Sequence, residues 1–257
     1  MKLIKSKKLS RFKSIEHAFF NKLGGKSTGI FKSLNCGLAS SDKKKNVLKN
    51  LEIVSNQIKT KPKKMILLNQ IHSNKFHYIN KKSKLDNNRF KGDALITNVS
   101  DVAIAVLTAD CAPILIHDEN NKMIAAIHAG WKGAYKDIIK KVVKFMIQKG
   151  CSPKNITAAI GPCISGNKYQ VKQDLIKRFI KKDKKNKIFF TKIKNKSYFN
   201  LRNYIHFQLK SLNIKKIDII NKDTFSPKNN FFSARRSISH NESDYGRNIS
   251  IIMINRY

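Results

Sequence analysis

Paired cysteines are missing from this chain. Cys36, Cys111, Cys151 and Cys163 lie far apart and form no CxxC motif, which excludes compact zinc-finger and thioredoxin-type patterns and argues against a disulfide framework. Reduced thiols in a cytosolic protein fit this usage best, so a cytoplasmic location is expected. No apolar run approaches the roughly 20 residues of a membrane helix. The opening Met1-Lys-Leu-Ile-Lys-Ser-Lys-Lys lacks the apolar stretch of a signal peptide. The histidines His17, His72, His77, His117, His128, His206 and His240 contain no HxH pair, too sparse a set for a multicopper cluster.

Acidic residues and arginine are scarce too. Lys+Arg number 53 against 16 Asp+Glu, a formal charge of +37. Lysines scattered nearly end to end supply most of it, whereas bidentate phosphate and base contacts rely on arginine. Salt-sensitive adhesion to polyanions follows from such a charge, but a specific nucleic-acid surface does not.

What is present is enough for a sizeable core: 257 residues, 41% of them hydrophobic and gathered into runs, predict a single domain over 1–257. Val47, Leu48, Leu51, Val54 and Ile58 are spaced for an amphipathic helix. Short β-branched runs predict strands at Met65–Leu68, Ala94–Thr97, Val102–Leu107, Ile114–Ile116, Met123–Ile127, Ile156–Ile160, Ile217–Ile220 and Ile249–Ile254. Ile138, Ile139, Val142, Val143, Met146 and Ile147 form one helical stripe stopped by Gly150. Further helices are predicted at Val171–Ile180 and Leu201–Leu212. Several strands follow one another without a helix between them, so the expected class is α+β: a mixed sheet, or two sheets with helices outside, rather than a strict βαβ series. The lysine runs at Lys43–Lys45, Lys81–Lys84 and Lys181–Lys187 read as solvated loops. The Gly-rich stretch after Phe19-Phe20 lacks the invariant spacing of a P-loop and reads as a turn between strands.

Chemistry concentrates where apolar runs break. Cys111 follows Asp110 and precedes Ala112-Pro113, His128 ends the run from Met123 and enters Ala129-Gly130-Trp131, and His72 lies just past Leu67-Leu68. Singly, each reads equally well as a core residue. Together, one thiolate and two imidazoles suit zinc and leave a fourth position open. An ion held there acidifies water for attack on a carbon bearing a leaving group, as in hydrolytic deamination. Without metal, His72 or His128 would activate Cys111 as a nucleophile, with Asp110 orienting, as in Cys-His hydrolases. Arg235, Arg236 and Arg247 cluster near the C-terminus, fit for phosphate or carboxylate or for structural ion pairs.

The segments His17-Ala-Phe-Phe-Asn-Lys-Leu-Gly-Gly, Ser33-Leu-Asn, Asn69-Gln-Ile-His72-Ser, Gly92-Asp-Ala-Leu-Ile-Thr, Thr108-Ala-Asp-Cys111, His128-Ala-Gly-Trp-Lys-Gly, Gly161-Pro-Cys-Ile, Phe232-Ser-Ala-Arg-Arg and Gly246-Arg247 resemble, in order, the bacterial laccase-domain family. These multicopper polyphenol oxidase-like proteins are also regarded as purine nucleoside phosphorylases. The resemblance implies a layered mixed fold and zinc on His72, Cys111 and His128, with copper as the alternative metal. It implies purine nucleosides and phosphate as ligands of a monomer or small homo-oligomer. The activities implied are phosphorolysis of adenosine, inosine and methylthioadenosine, deamination of adenosine, and an older claim of copper-dependent phenol oxidation. His72, Cys111, His128 and Asp110 are then the catalytic candidates, and Lys22 and Arg235 the substrate-binding ones. Two departures stand out. Lys22 occupies a position where the family commonly has Arg, which keeps charge but loses bidentate geometry. The Gly-Asp and Asn-Arg signature becomes Ser41-Asp42 and Asn50-Leu51.

Overall fold

Strands apolar at every position must be buried on both faces, and this chain builds two packed sheets from them. The computed structural model describes residues 3–83 and 90–256. In chain order the strands are β1 (Leu3–Ile4), β2 (Ile15–Phe20), β3 (Met65–Ile66), β4 (Phe76–Ile79), β5 (Ala94–Thr97), β6 (Ala103–Thr108), β7 (Ala112–Asp118), β8 (Met123–Ala129), β9 (Ile156–Ile160), β10 (Gln170–Val171), β11 (Phe190–Ile193), β12 (Lys196–Phe199), β13 (Lys216–Ile219) and β14 (Asn248–Ile254). The helices are α1 (Lys44–Gln57), α2 (Trp131–Tyr135), α3 (Ile138–Gln148), α4 (Gln173–Lys182), α5 (Leu201–Ser211) and α6 (Ala234–Ser239).

One sheet has the order β1-β2-β14-β6-β3, the second β13-β9-β7-β8-β5-β4, and a small third sheet β10-β12-β11. Both large sheets are mixed: β3 runs parallel to β6, β4 to β5 and β13 to β9, while their other pairings are antiparallel. The side-chain period of two sorts each strand between layers. Ile104 and Val106 of β6, Leu115 of β7, Ile124 and Ala126 of β8 and Ile252 of β14 meet between the two sheets. Ala103, Ala105, Ile249 and Ile251 face outward onto Val47, Leu51 and Val54 of α1 and Ile58 just after it. Ile114, Ile116, Ala125 and Ile127 face the opposite way, onto α3 and α5 through Ile139, Val142, Met146, Ile205 and Leu209. The result is a four-layer helix–sheet–sheet–helix stack, the two-sheet form of the expected α+β class. Each fully buried isoleucine in it contributes about 1.5–3 kcal/mol by transfer from water.

Four local expectations change. Lys44 and Lys45 open α1 rather than lying in a loop. Lys181 and Lys182 end α4, and the chain continues as a 3-10 helix over Lys184–Phe189. Val171 pairs with Ser197 in the small sheet, so the predicted helix there starts only at Gln173. The Gly-rich stretch leaves β2 for a 3-10 turn, Gly29–Phe31, and not for a neighbouring strand. Lys84, the end of one lysine run, lies outside the described residues. No helix among the described residues is long and apolar enough to cross a membrane.

Candidate metal centre and active site

The chain changes sheets between β6 and β7, and Cys111 sits in that crossover. Asp110 beside it takes a left-handed backbone, φ 84°, which re-aims the chain from one sheet to the other. Pro113, which has no N–H to give a ladder, is tolerated near the start of β7, where its carbonyl accepts from the Gly161 N–H at 2.8 Å. His128 is the penultimate residue of β8 and shares parity with Ile124 and Ala126, so its ring lies at the end of the layer between the sheets. His72 follows β3 in a loop pinned by Gln70, whose side chain donates to the Leu107 carbonyl and accepts the Leu107 N–H, both at 2.7 Å.

These devices bring His72, Cys111 and His128 together. One ligand atom from each lies within 4.8 Å of the others, and Cys111 Sγ is 3.9 Å from His72 Nε2. The two imidazoles meet edge to face with centroids 4.8 Å apart. His128 is buried, Cys111 half-buried and His72 exposed. Gly130 leaves the space: a Cβ there would come within 2.7 Å of Cys111 Sγ and 3.3 Å of His72 Cδ2.

Asp93, singled out in the sequence only as part of a motif, organises the group. Its Oδ1 lies 2.8 Å from His128 Nδ1 and accepts the His72 backbone N–H at 3.0 Å, while Oδ2 accepts the Ser73 N–H and hydroxyl at 2.6 and 2.7 Å. The His128 N–H also donates to the Asp93 carbonyl. Burial raises the Asp93 carboxyl, but the bonds from His128 and Ser73 outweigh it and hold it at about 2. Burial likewise pushes the Cys111 thiol up, yet His128 beside it and the contacts of both histidines bring it down to about 6. The reciprocal holds for His128: burial lowers it, and Cys111 and Asp93 lift it to about 9. Both shifts express one attraction, thiolate to imidazolium, and a cation in the group would take the place of that proton. An acid abutting an apolar run in a chain this poor in acids was the available signal for Asp93.

Asp110 turns away from this group. Its carboxylate accepts from the Thr224 hydroxyl (2.6 Å), the Ser233 hydroxyl (2.9 Å) and the Arg235 N–H (2.7 Å), and burial raises its pKa against those bonds. Asp110 therefore fastens the C-terminal segment to the β6–β7 crossover. Arg235 donates from its guanidinium to the Gln170 carbonyl and lies over the Tyr169 ring, 5.4 Å from its centroid. Lys22 is set over Phe232 at 5.9 Å, its pKa lowered by burial and by Arg236.

A cavity of about 690 Å³ opens over the group, with His72, Cys111 and His128 in its lining. Leu38, Leu68, Leu107 and Tyr245 give it apolar surface, and Lys44 and Arg247 give it positive charge. Lys22, Arg235 and Asp110 are not among the lining residues. The contribution of Lys44 depends on α1 beginning one turn earlier than periodicity indicates.

Purine nucleoside phosphorylase RP494 of Rickettsia prowazekii is 32% identical over 92% of this chain and 95% of its own length. A Haemophilus influenzae protein, also named purine nucleoside phosphorylase, is 32% identical over 92% of this chain and 93% of its own. Among solved structures, the Bacillus licheniformis hypothetical protein YfiH superposes with a TM-score of 0.87 at 26% identity, covering 94% of this chain and 93% of that one. Residues 16–255 match the family described as multi-copper polyphenol oxidoreductase laccase, and with that match, the shared fold and the full-length relatives, the chain belongs to this family.

Proposed function

We propose that the protein is a zinc-dependent purine nucleoside phosphorylase acting on adenosine, inosine and methylthioadenosine, with adenosine deamination as a second reaction of the same cavity. The observation that supports this reading most is the convergence of His72, Cys111 and His128 on one 690 Å³ cavity, in a chain whose full-length relatives carry that enzyme name. The donor set fits zinc: a thiolate made accessible by its surroundings, and two imidazoles, one of them locked by a carboxylate on its far nitrogen. Three protein ligands are too few for a multicopper cluster, and among the described residues no second group of this kind accompanies them. Bound there, zinc supplies Lewis-acid charge to a substrate oxygen or to water.

The chain's own residues do the rest. His128 donates its Nδ1 proton to Asp93 and so presents Nε2 toward the cavity. Leu38, Leu68 and Leu107 exclude water from the faces of a purine, and the Tyr245 ring adds aromatic surface. His72, the exposed imidazole, can exchange a proton with solvent. In phosphorolysis a phosphate oxygen bonds to the ribose C1′ as the C1′–N9 bond breaks. The electron pair leaves on the base, which takes up a proton. In deamination, water adds at C6 and ammonia departs.

Purified protein incubated with adenosine and phosphate is expected to yield adenine, ribose 1-phosphate and inosine. Elemental analysis is expected to find near-stoichiometric zinc that is lost in Cys111→Ala. No product at any metal loading overturns the proposal. Activity that survives chelation, with a covalent adduct on Cys111, replaces it with a Cys-His hydrolase.

A further inference from the structure

Phosphorolysis needs a place for a dianion, and Lys22, Arg235 and Arg236, which the sequence offers for it, lie outside the cavity lining. Two cations line it, Lys44 and Arg247, of which the sequence offers only Arg247. They are far apart in the chain, and Asp244 ties together the segments that carry them. Its Oδ2 accepts the Ser41 N–H at 2.8 Å and the Ser41 hydroxyl at 3.2 Å, just before α1, while its Oδ1 accepts from the Arg247 guanidinium at 2.8 Å. Asn35 adds a second tie, its Oδ1 accepting both the Gly37 and the Arg247 N–H groups. Gly37 lets the arginine lie flat on the backbone, since a Cβ there would come within 2.6 Å of Arg247 Cδ. The guanidinium also covers the Tyr245 ring at 4.2 Å.

The electrostatics of this wall favour an anion. Asp244 neutralises Arg247 in part, but Lys44 makes no ion pair or side-chain hydrogen bond among the described residues. Among the described residues no carboxylate lines the cavity. No acidic side chain stands in the first turn of α1, which Lys44 opens, so the helix end adds to the positive potential, offset in part by Asp42, whose carboxylate accepts the Lys43 N–H at 2.7 Å.

We infer that Lys44 and Arg247 form the phosphate subsite of this cavity, holding a phosphate dianion supplied as inorganic phosphate or as the phosphoryl group of a nucleoside 5′-monophosphate. The inference rests on the proposed phosphorylase reading for its role in turnover, but not for binding itself. Arg247 contributes a fixed fork and Lys44 a mobile point charge. Leu51, where the family commonly has Arg, is buried against the sheet and contributes no charge.

The test uses the full chain loaded with zinc, and calorimetric titration with inorganic phosphate and, separately, with adenosine 5′-monophosphate. Lys44→Ala is expected to weaken binding of the anion about tenfold, the scale of one charge-assisted contact. Lys45→Ala, which removes an equal charge one residue away and outside the lining, is expected to leave it unchanged. In turnover, Lys44→Ala is expected to raise the KM for phosphate by a similar factor without changing the KM for inosine. Binding of inorganic phosphate that depends on Lys44 assigns the subsite to the co-substrate. Dependence confined to the nucleotide assigns it to a 5′-phosphoryl group. Equal weakening by Lys45→Ala, or none by Lys44→Ala, overturns the subsite. Lys44-dependent binding in a protein that cleaves no nucleoside retains the subsite and overturns only the phosphorylase reading.

Discussion

At the scale of single residues, Asp93 governs the site because it serves both histidines, one through its ring and one through its backbone. An amide at this position keeps the shape but cannot receive two donors on a charged oxygen. Asp93→Asn is therefore expected to lower zinc affinity about 10–100-fold, read by competition with a chromophoric chelator; unchanged affinity would mean that His128 needs no orienting partner. Gly130 acts by absence. Its backbone conformation, φ −78°, is open to any residue, so the constraint is space alone. Gly130→Ala puts a methyl group 2.7 Å from Cys111 Sγ, and the sulfur has to move. Metal content is expected to fall while the melting temperature stays near that of the wild type, whereas full metal loading would show that the thiolate position is not critical.

Between elements, the buried Asp110 carboxylate joins the crossover from β6 to β7 to the segment that carries α6. Replacing it with alanine leaves the Thr224 and Ser233 hydroxyls and the Arg235 N–H without their acceptor. Asp110→Ala is expected to cost about 3 kcal/mol in denaturant unfolding, with Asp110→Asn costing less; a loss below about 1 kcal/mol would mean that those donors find other acceptors. Elements buried on both faces were the ones legible in the sequence: β5 to β9 and β14 show as uninterrupted apolar runs, and α3 as a stripe ended by Gly150. The half-exposed pieces were not. Val171 matches Leu175 and Phe179 in helical spacing, and only its pairing with Ser197 makes it a strand residue. Lysine density at 43–45 hid the start of α1, because a helix anchored by Val47, Leu51, Val54 and Ile58 can carry any charge on its outer face. The strand breaks exposed His72, Cys111 and His128, since a ligand at a strand end interrupts an apolar run. Asp93 and Arg247 were marked more faintly, as an acid abutting an apolar run and as one of a C-terminal group of arginines; the role of one is set by the β5–β8 register and that of the other by a hydrogen bond to Asp244.

For the molecule as a whole, two buried histidines outside the site couple folding to pH. His17 on β2 accepts the Ser6 N–H at 2.9 Å on Nε2, a bond that the protonated ring cannot accept. His117 on β7 packs against Phe12 with ring centroids 4.8 Å apart, and its Nδ1 has no hydrogen-bond partner among the described residues. Burial brings both down to about 4, reinforced at His17 by Lys5; Glu16 and Asp218 oppose the shift at His17, and Asp118 opposes it at His117. In the unfolded chain these rings protonate near the ordinary 6.5, so between 6.5 and 4 the unfolded state binds more protons than the folded one. The stability gained by keeping them neutral is complete above 6.5 and is lost as the pH falls toward 4, by up to about 3 kcal/mol for each ring. Asp218 and Asp244, whose pKa values are lowered by their hydrogen bonds against burial, lose their contribution only at lower pH, so the two effects separate. Denaturant midpoints measured from pH 7.5 to 4.5 are expected to fall through this window. The slope is expected to flatten in His117→Leu, which removes both the titration and an unpaired buried nitrogen. His117→Leu that follows the same pH curve as the wild type would place the acid sensitivity elsewhere. Because both rings lie under the Ser6–Phe12 segment, which bridges the sheets through His17 on one and Asp218 and His117 on the other, hydrogen exchange in that segment is expected to rise at the acid end before exchange in β8 and β14.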